Sequence, residues 1–146
     1  MITISILGLD QYAVGTYSLD NTKNLADLFE ISTADINFYA PNCFYYHAGV
    51  DQTSWNTLIR IYAPRQFETL ESKVADYLFK TLKHLTINVA VEFFYYDKKN
   101  RHESLNKDYP PFITEQNAIE VDEHGEDEED DIYEGNIFEG IEEKIK

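Results

Sequence analysis

Residues 1–7, MITISIL, alternate apolar and polar side chains from the second position onward. Ile2, Ile4 and Ile6 therefore share one face of an extended segment, because successive side chains of a strand point to opposite sides. The pattern predicts that the chain starts inside a β-strand. A nitrogen at the head of that strand has a fixed place beside a sheet, where an amine of suitable basicity can serve in catalysis.

The remaining elements follow the order β-α-β-β-α-β. Asp10 is the predicted cap of the first helix, which is expected to break near residues 19–21 because Gly15 and a polar stretch weaken its apolar pattern. Pro41 interrupts two short strand-like runs, as expected at a sheet edge or a bulge. The other predicted elements are strands at 36–40, 43–47, 55–62 and 86–96 and a helix at 65–84.

Right-handed crossovers place both helices on one face of a four-stranded sheet, which predicts an α/β (α+β) fold of two layers. The other face of the sheet collects six uncharged side chains, three of them aromatic. These are Thr3, Ser5, Leu58, Tyr62, Phe94 and Tyr96. A surface this apolar is expected to be covered, so the chain is predicted to form a homo-oligomer, a trimer or a dimer.

The net charge of −15 is concentrated at one end of the chain. Residues 1–114 carry 13 acidic and 10 basic side chains, whereas residues 115–146 carry 14 and 2. We therefore expect a domain at 1–105, an arm at 106–119 and an acidic, disordered tail at 120–146. The tail solubilises the protein or contacts a basic protein partner, and neither part has the basic stripe that nucleic acid requires.

Cysteine usage and hydropathy bear on the location of the protein. Cys43 is the only cysteine, which excludes an internal disulfide and fits a reducing cytoplasm. We expect its side chain to be buried or half-buried and structural rather than a nucleophile. Residues 1–9 do not resemble a signal peptide, and no apolar run approaches the roughly 20 residues of a membrane span, so no membrane association is expected.

Four segments together carry a resemblance to a known family. They are residues 2–9, 56–62 (NTLIRIY), 66–82 and 88–94 (NVAVEFF). In order and length they resemble the tautomerase superfamily, which includes macrophage migration inhibitory factor and 4-oxalocrotonate tautomerase, and especially its uncharacterised bacterial DUF1904 branch. The resemblance covers about residues 1–105. It implies a protomer with a mixed four-stranded sheet, assembled into rings that are commonly trimers, with sites at subunit boundaries.

A ferredoxin-like fold has the same order of elements and stays open as an alternative. There the two middle strands are neighbours in the sheet, whereas a tautomerase-like sheet separates them. The short loop at 48–53 favours hairpin pairing and therefore the ferredoxin-like order.

Resemblance to the tautomerases also implies a catalytic amino-terminal proline, exposed by removal of the initiator methionine. This sequence has Ile2 at that position. A bulky second residue implies that Met1 is kept, which moves the amine by one residue. Proline-dependent tautomerase activity is therefore not expected, and the resemblance favours a binding or interaction module over an enzyme.

Arg60, Glu92 and Tyr96 are the remaining candidates for a catalytic role. Arg60 alternates with apolar neighbours in a strand, so it either faces a pocket and binds an anion or, as we favour, pairs with Glu92 or covers the sheet edge. The alternative function is a keto–enol isomerase whose site has moved to Arg60, with Glu92 or a tyrosine. Six tyrosines can line a cleft, but packing is favoured for them. They are Tyr39, Tyr45, Tyr46, Tyr62, Tyr95 and Tyr96.

Metal and cofactor sites are not expected. The four histidines lack the spacing of metal ligands, and the sequence holds no glycine-rich phosphate loop and no C-x-x-C motif. They are His47, His84, His102 and His124.

Overall fold

The first strand, β1 (Ile2–Leu7), lies inside a four-stranded mixed sheet. In the computed structural model, which describes residues 1–117, β1 pairs in parallel with β2 (Ile36–Tyr39) and antiparallel with β5 (Asn56–Pro64). On its far side β5 pairs in parallel with β6 (Asn88–Tyr96). The order β2-β1-β5-β6 separates β2 from β5, which excludes the ferredoxin-like alternative. The predicted mixed sheet of the tautomerase-like alternative is confirmed.

Two helices cover one face of this sheet, as predicted. They are α1 (Gln11–Phe29) and α2 (Glu71–Leu82). Ile2, Ile4 and Ile6 are completely buried beneath them, next to Ile59 and Ile61 of β5. Burying a side chain of this size stabilises the fold by roughly 1.5–3 kcal/mol, so the alternation in the first seven residues supplies a large part of the core energy.

The helix α1 runs unbroken, so the predicted break near residues 19–21 is wrong. Asn21 is buried there, and its Nδ2 donates a hydrogen bond to the carbonyl oxygen of Tyr17 over 2.9 Å. Its Oδ1 accepts one from the hydroxyl of Tyr77 on α2 over 2.6 Å. Because both polar groups of the amide have partners, the residue stays in the helix. The predicted cap is confirmed, since Oδ1 of Asp10 accepts from the backbone N–H of Tyr12 over 2.9 Å.

The segment between β2 and β5 is less regular than predicted. Only β3 (Tyr46–His47) and β4 (Val50–Asp51) pair there, as a separate two-stranded ladder, so the predicted strand at 43–47 is mostly wrong. The chain leaves the sheet just before Pro41, which has no N–H to donate to a ladder. This departure brings residues 43–45 over the face of the sheet that the helices leave open.

The second half of the domain follows its predicted course with shifted bounds. Residues Arg65–Leu70 form a 3₁₀ helix, and α2 begins only at Glu71. The last strand begins at Asn88 instead of residue 86. Thr86 is buried, and its Oγ1 accepts a hydrogen bond from Oγ1 of Thr57 over 2.9 Å. This hydrogen bond joins the residues just before β6 to β5.

Gly8 ends β1 in a backbone conformation that a side chain does not tolerate. Its φ is +85°, and a Cβ atom there would lie 2.5 Å from the carbonyl oxygen of Asn56. Its own carbonyl oxygen accepts a hydrogen bond from the N–H of Ser54 over 2.8 Å. The close approach holds the end of β1 against the start of β5.

The chain divides into two units, Met1–Asp108 and Tyr109–Lys146, and the sheet belongs to the first. In the second unit, Oδ1 of Asn117 accepts from the N–H of Thr114 over 2.6 Å. The predicted acidic tail at 120–146, together with His124, lies outside the described residues. None of the helices within residues 1–117 is both long and apolar enough to cross a membrane.

Candidate functional site

Two cavities lie at opposite ends of the open sheet face, the face that α1 and α2 leave uncovered. The first, of about 540 Å³, lies between residues 43–45 and the end where β1 finishes and where β5 and β6 begin. Its sheet wall carries both polar and apolar side chains. These are Leu7, Asn56, Thr57, Leu58, Arg60, Asn88, Val89, Ala90 and Glu92.

Arg60 and Glu92 stand opposite each other in the register of β5 and β6. Nε of Arg60 donates to Oε2 of Glu92 over 3.3 Å, so the ion pair favoured from the sequence is formed. Both side chains also line the first cavity. The two interpretations of Arg60, as a partner of Glu92 and as a residue facing a pocket, therefore apply together.

This ion pair is weak enough to be rearranged by a ligand. The side chains of Arg60 and Glu92 are 41% and 48% exposed, and pairs of this kind contribute roughly 0.2–1 kcal/mol. Among the described residues, the terminal nitrogens of Arg60 and Oε1 of Glu92 have no hydrogen-bond partner. The pair thus keeps donors and an acceptor for a third group.

Two asparagines extend the polar strip along the wall of this cavity. Nδ2 of Asn88 donates to Oδ1 of Asn56 over 2.9 Å, and Nδ2 of Asn56 donates to Oε1 of Gln52 over 3.0 Å. Because these amides are engaged with one another, the charged groups of Arg60 and Glu92 are the strongest polar groups that the cavity offers.

The opposite wall contains Cys43, Phe44 and Tyr45. The thiol of Cys43 is exposed, so its predicted burial is wrong. The reason is that the chain has already left the sheet at this point, and no helix covers it. The exposed aromatic rings of Phe44 and Tyr45 give the cavity an apolar side.

Tyr96, the third candidate from the sequence, does not line the cavity that Arg60 and Glu92 line. It lies four residues beyond Glu92 in β6, or roughly 13 Å along the strand. Its hydroxyl donates to the carbonyl oxygen of Met1. Burial raises the pKa of this phenol, and the nearby guanidinium of Arg101 partly opposes the rise.

Tyr96 lines a second cavity, of about 390 Å³, at the start of β1. Arg101 is the charged residue there that sequence reasoning missed, because residues 97–101 look like an ordinary polar turn. Nε of Arg101 donates to Oε1 of Glu103 over 2.9 Å, and this hydrogen bond lowers the pKa of that carboxyl. The signal was available, since residues two apart in extended backbone point the same way.

The six tyrosines named from the sequence differ in their surroundings, and Tyr39, Tyr45 and Tyr46 are exposed. Tyr62 stacks on Phe94 with ring centroids 5.0 Å apart in the middle of the open face. Tyr95 donates to Oε1 of Glu71 over 2.7 Å on the helix side, and burial and that carboxylate raise the pKa of its phenol. Tyr45 lines the first cavity.

Metal ligands do not converge in the part of the chain that the structure describes. Within residues 1–117 no group of three or more histidine, cysteine, aspartate or glutamate side chains is placed to hold a metal ion.

Comparisons with known proteins agree on the fold. By sequence the chain matches no family model and no curated protein. By structure it is similar to a DUF1904 domain from Sebaldella termitidis ATCC 33386, with 15% identity, a TM-score of 0.64, and coverage of 70% of this chain and 95% of that one. A macrophage migration inhibitory factor-like protein from Entamoeba histolytica gives 12% identity, a TM-score of 0.57 and coverage of 70% and 95%. Macrophage migration inhibitory factor from Toxoplasma gondii gives 13% identity and a TM-score of 0.54, with coverage of 69% of this chain and 95% of that one. The resemblance inferred from the sequence is thus confirmed at the level of the fold.

Proposed function

We propose that this chain, which has the two-layer fold of the tautomerases, is a homo-oligomeric binding module without proline-dependent tautomerase activity. The observation that carries the proposal is the burial of Ile2 at the head of β1, where the related catalytic proteins keep their proline. Its side chain is completely buried and its backbone pairs beside Ile36.

The chemistry of a proline base requires a secondary amine whose protonated form is disfavoured near neutral pH. The four prolines of the chain are at positions 41, 64, 110 and 111, far from β1 in sequence. Ile2 is not a proline, so its nitrogen is not the secondary amine that this chemistry requires, whether or not Met1 is removed. The head of β1 therefore lacks the group on which the reaction depends.

Binding is assigned to the first cavity, because it combines one cation, one carboxylate and an apolar wall. Its volume of about 540 Å³ lies in the range of roughly 300–1,000 Å³ that is typical of small-molecule sites. This cavity lies at the end of the open face away from Ile2, so ligand binding does not need the missing proline.

Self-association is proposed through the middle of the open sheet face. The stacked rings of Tyr62 and Phe94 are 39% and 42% exposed there, which is costly for apolar groups on a rigid sheet. A trimer or a dimer that covers these rings removes that cost. We further place the protein in the cytoplasm, since a reducing compartment keeps an exposed thiol such as Cys43 free.

We propose that the acidic segment 115–146 binds a basic protein partner and takes no part in the cavity. Its 14 acidic and 2 basic side chains give it the charge that attracts lysine-rich surfaces. The division into a domain at 1–105, an arm at 106–119 and a tail at 120–146 is part of this proposal.

An isomerase with a site around Arg60 is the second candidate, and the ion pair in the cavity wall favours it. Glu92 lies within hydrogen-bond reach of whatever Arg60 binds, as a general base must. Tyr96 is too far along the strand to act with them, whereas Tyr45 lines the same cavity and brings a phenol that can take part in a proton transfer.

The deciding experiment offers the full chain a phenylenolpyruvate-type keto–enol substrate and follows the loss of the enol by absorbance. The proposed binding module gives the buffer rate. Turnover that the substitution Arg60→Met abolishes establishes the isomerase instead. Turnover that survives Arg60→Met but ends when the amino-terminal amine is chemically blocked places catalysis at the head of β1. That result overturns the proposal of a binding module.

A further inference from the structure

We propose that the first cavity binds a small zwitterion of the amino-acid type with an apolar side chain, its carboxylate on Arg60 and its ammonium group on Glu92. The inference rests on the proposed binding function and names the class of ligand. It follows from the charges that line the cavity, from the atoms that these charges leave free, and from the apolar wall opposite.

The charges of the cavity balance. Within residues 1–117, Arg60 and Glu92 are the only charged side chains that line it, and Nε of Arg60 lies 3.3 Å from Oε2 of Glu92. A simple anion that approaches Arg60 is repelled by Glu92, and a simple cation that approaches Glu92 is repelled by Arg60. A ligand with both charges on adjacent groups satisfies the two residues at once, because the carboxylate and ammonium groups of an amino acid share one carbon atom.

The free atoms of the pair match such a ligand. Arg60 uses Nε on Glu92 and keeps its two terminal nitrogens, which present N–H donors in the geometry that a carboxylate accepts. Glu92 uses Oε2 and keeps Oε1 as an acceptor for an ammonium N–H. Since both side chains are nearly half exposed, this rearrangement requires little loss of existing interaction.

Beside the polar strip of Asn56 and Asn88, the cavity has an apolar part with room for a side chain. Ala90 lies between Asn88 and Glu92 on the open face of β6, and its small methyl group leaves space above the neighbouring Leu58. Phe44 and Tyr45 face this space from the other wall. An aromatic or large aliphatic side chain that enters here loses contact with water and packs against rings.

The rings that carry the proposal of an oligomer interface lie outside the lining of this cavity. Tyr62 and Phe94, which carry the interface proposal, do not line it. Ligand binding and self-association can therefore be measured independently.

The test is titration calorimetry of the full chain with three probes that share a phenyl ring. L-phenylalanine carries both charges, 3-phenylpropionate only the carboxylate and 2-phenylethylamine only the ammonium group. We expect L-phenylalanine to bind about tenfold more tightly than either singly charged probe. The reason is that 3-phenylpropionate has no ammonium group for Glu92, and 2-phenylethylamine has no carboxylate for Arg60. L-leucine is expected to bind as well, because the wall selects apolar bulk.

Substitutions separate the two charges. Arg60→Met is expected to weaken L-phenylalanine about tenfold, and Glu92→Gln is expected to remove its advantage over 3-phenylpropionate. Arg65→Met is the matched control. Nε of Arg65 lies 3.4 Å from Oδ1 of Asp97, and these side chains are 60% and 49% exposed but do not line the cavity. This control is expected to leave the affinity unchanged.

Cys43 supplies a second measurement, because it is the only cysteine and lines the same cavity. Bound L-phenylalanine is expected to slow the reaction of its thiol with a disulfide reagent.

Equal or tighter binding of 3-phenylpropionate overturns the zwitterion and leaves the binding function in place. An equal loss of affinity in Arg65→Met overturns the assignment to Arg60. Absence of binding by all the probes overturns this inference alone, whereas the proposed function is decided by turnover of the keto–enol substrate.

Discussion

Tyr77 on α2 donates its hydroxyl hydrogen to the amide oxygen of Asn21 on α1, over 2.6 Å. The same hydroxyl accepts a hydrogen bond from Nδ2 of Asn24 over 3.1 Å. One tyrosine thus joins the two helices at the point where α1 carries its buried polar residue. The helices are held in register by this polar contact as well as by apolar packing.

Removing that hydroxyl is expected to destabilise the protein. Tyr77→Phe leaves the buried amide oxygen of Asn21 without its donor, which costs about 1–3 kcal/mol of unfolding free energy. Urea unfolding followed by far-ultraviolet circular dichroism measures the change. Tyr12→Phe, at an exposed position, is the control. An equal midpoint for Tyr77→Phe and the parent chain contradicts the role given to this contact.

Gly8 and Gly49 form a matched pair for testing the close approach of β1 to β5. Both have positive φ, at +85° and +81°, but a Cβ atom meets Asn56 only at Gly8 and has open space at Gly49. Gly49→Ala therefore costs only the backbone strain of roughly 1–2 kcal/mol. Gly8→Ala is expected to cost about 1–3 kcal/mol more, because the backbone of β5 must shift.

Thermal unfolding of the two alanine variants gives the comparison. If Gly8→Ala and Gly49→Ala lower the melting temperature equally, the contact with the carbonyl oxygen of Asn56 does not constrain this turn.

We propose that the homo-oligomer forms through the stacked rings of Tyr62 and Phe94 on the open face of the sheet. Phe94→Glu places a charge beside Tyr62, so it is expected to shift the protein to the monomer without lowering its helix content. Light scattering coupled to gel filtration measures the mass. The control is Leu19→Glu, at an exposed position of α1 on the other side of the sheet. A change of mass in this control, or an unchanged mass in Phe94→Glu, rules out the open face as the interface.

Stability at high pH is expected to depend on Tyr17. Burial raises the pKa of this phenol from 10.0 to about 12, although its hydrogen bond with Thr81 lowers the pKa in part. The folded state thus holds the proton more tightly than the unfolded state. Its contribution is complete below pH 10 and is lost as the pH rises through about 12.

Chemical unfolding at pH 9 and at pH 12 tests this dependence. In Tyr17→Phe the fall in unfolding free energy between the two values is expected to be smaller by about 2 kcal/mol. Tyr12→Phe serves again as the exposed control. A fall of the same size in Tyr17→Phe and the parent chain assigns the alkaline loss of stability to other groups.

Charge attraction is expected to be confined to the acidic end of the chain. The full chain should be retained on an immobilised lysine-rich protein at low salt and released at high salt, whereas a chain ending at Lys107 should not be retained. Residues 1–114 have 13 acidic and 10 basic side chains, too few in excess for such binding. Salt-insensitive capture, or capture of the shorter chain, removes the role proposed for the segment.

The faces of the elements could be predicted from sequence, because they depend on local alternation. Ile2, Ile4 and Ile6 are buried as their period of two requires. Alternation alone did not decide the order of the strands, because the pairing of β1 with β5 depends on contacts between residues about 55 positions apart. The resemblance to the tautomerases indicated the order that is observed, while the ferredoxin-like order stayed open.

Three assignments made from the sequence are wrong: the break in the first helix, the strand at 43–47 and the burial of Cys43. The helix break at residues 19–21 was inferred from polar residues whose partner, Tyr77, lies 56 positions away in sequence. The burial of Cys43 was inferred from a strand that does not form, since the chain leaves the sheet before Pro41. The pairing of Arg60 with Glu92 was predicted correctly from the sequence. Residues that stand opposite each other on neighbouring strands are in contact, and these two carry opposite charges.

The position of β1 between β2 and β5 has a consequence for the order of events during synthesis. β1 precedes both of its partners in the chain, so on the ribosome its apolar face has no sheet to join until residues 36–39 emerge, and it is complete only after residues 56–64. These pairings join distant parts of the chain, which slows folding. β1 is thus synthesised before both of the strands that it joins, and until they emerge its apolar face is open to chaperones and to aggregation.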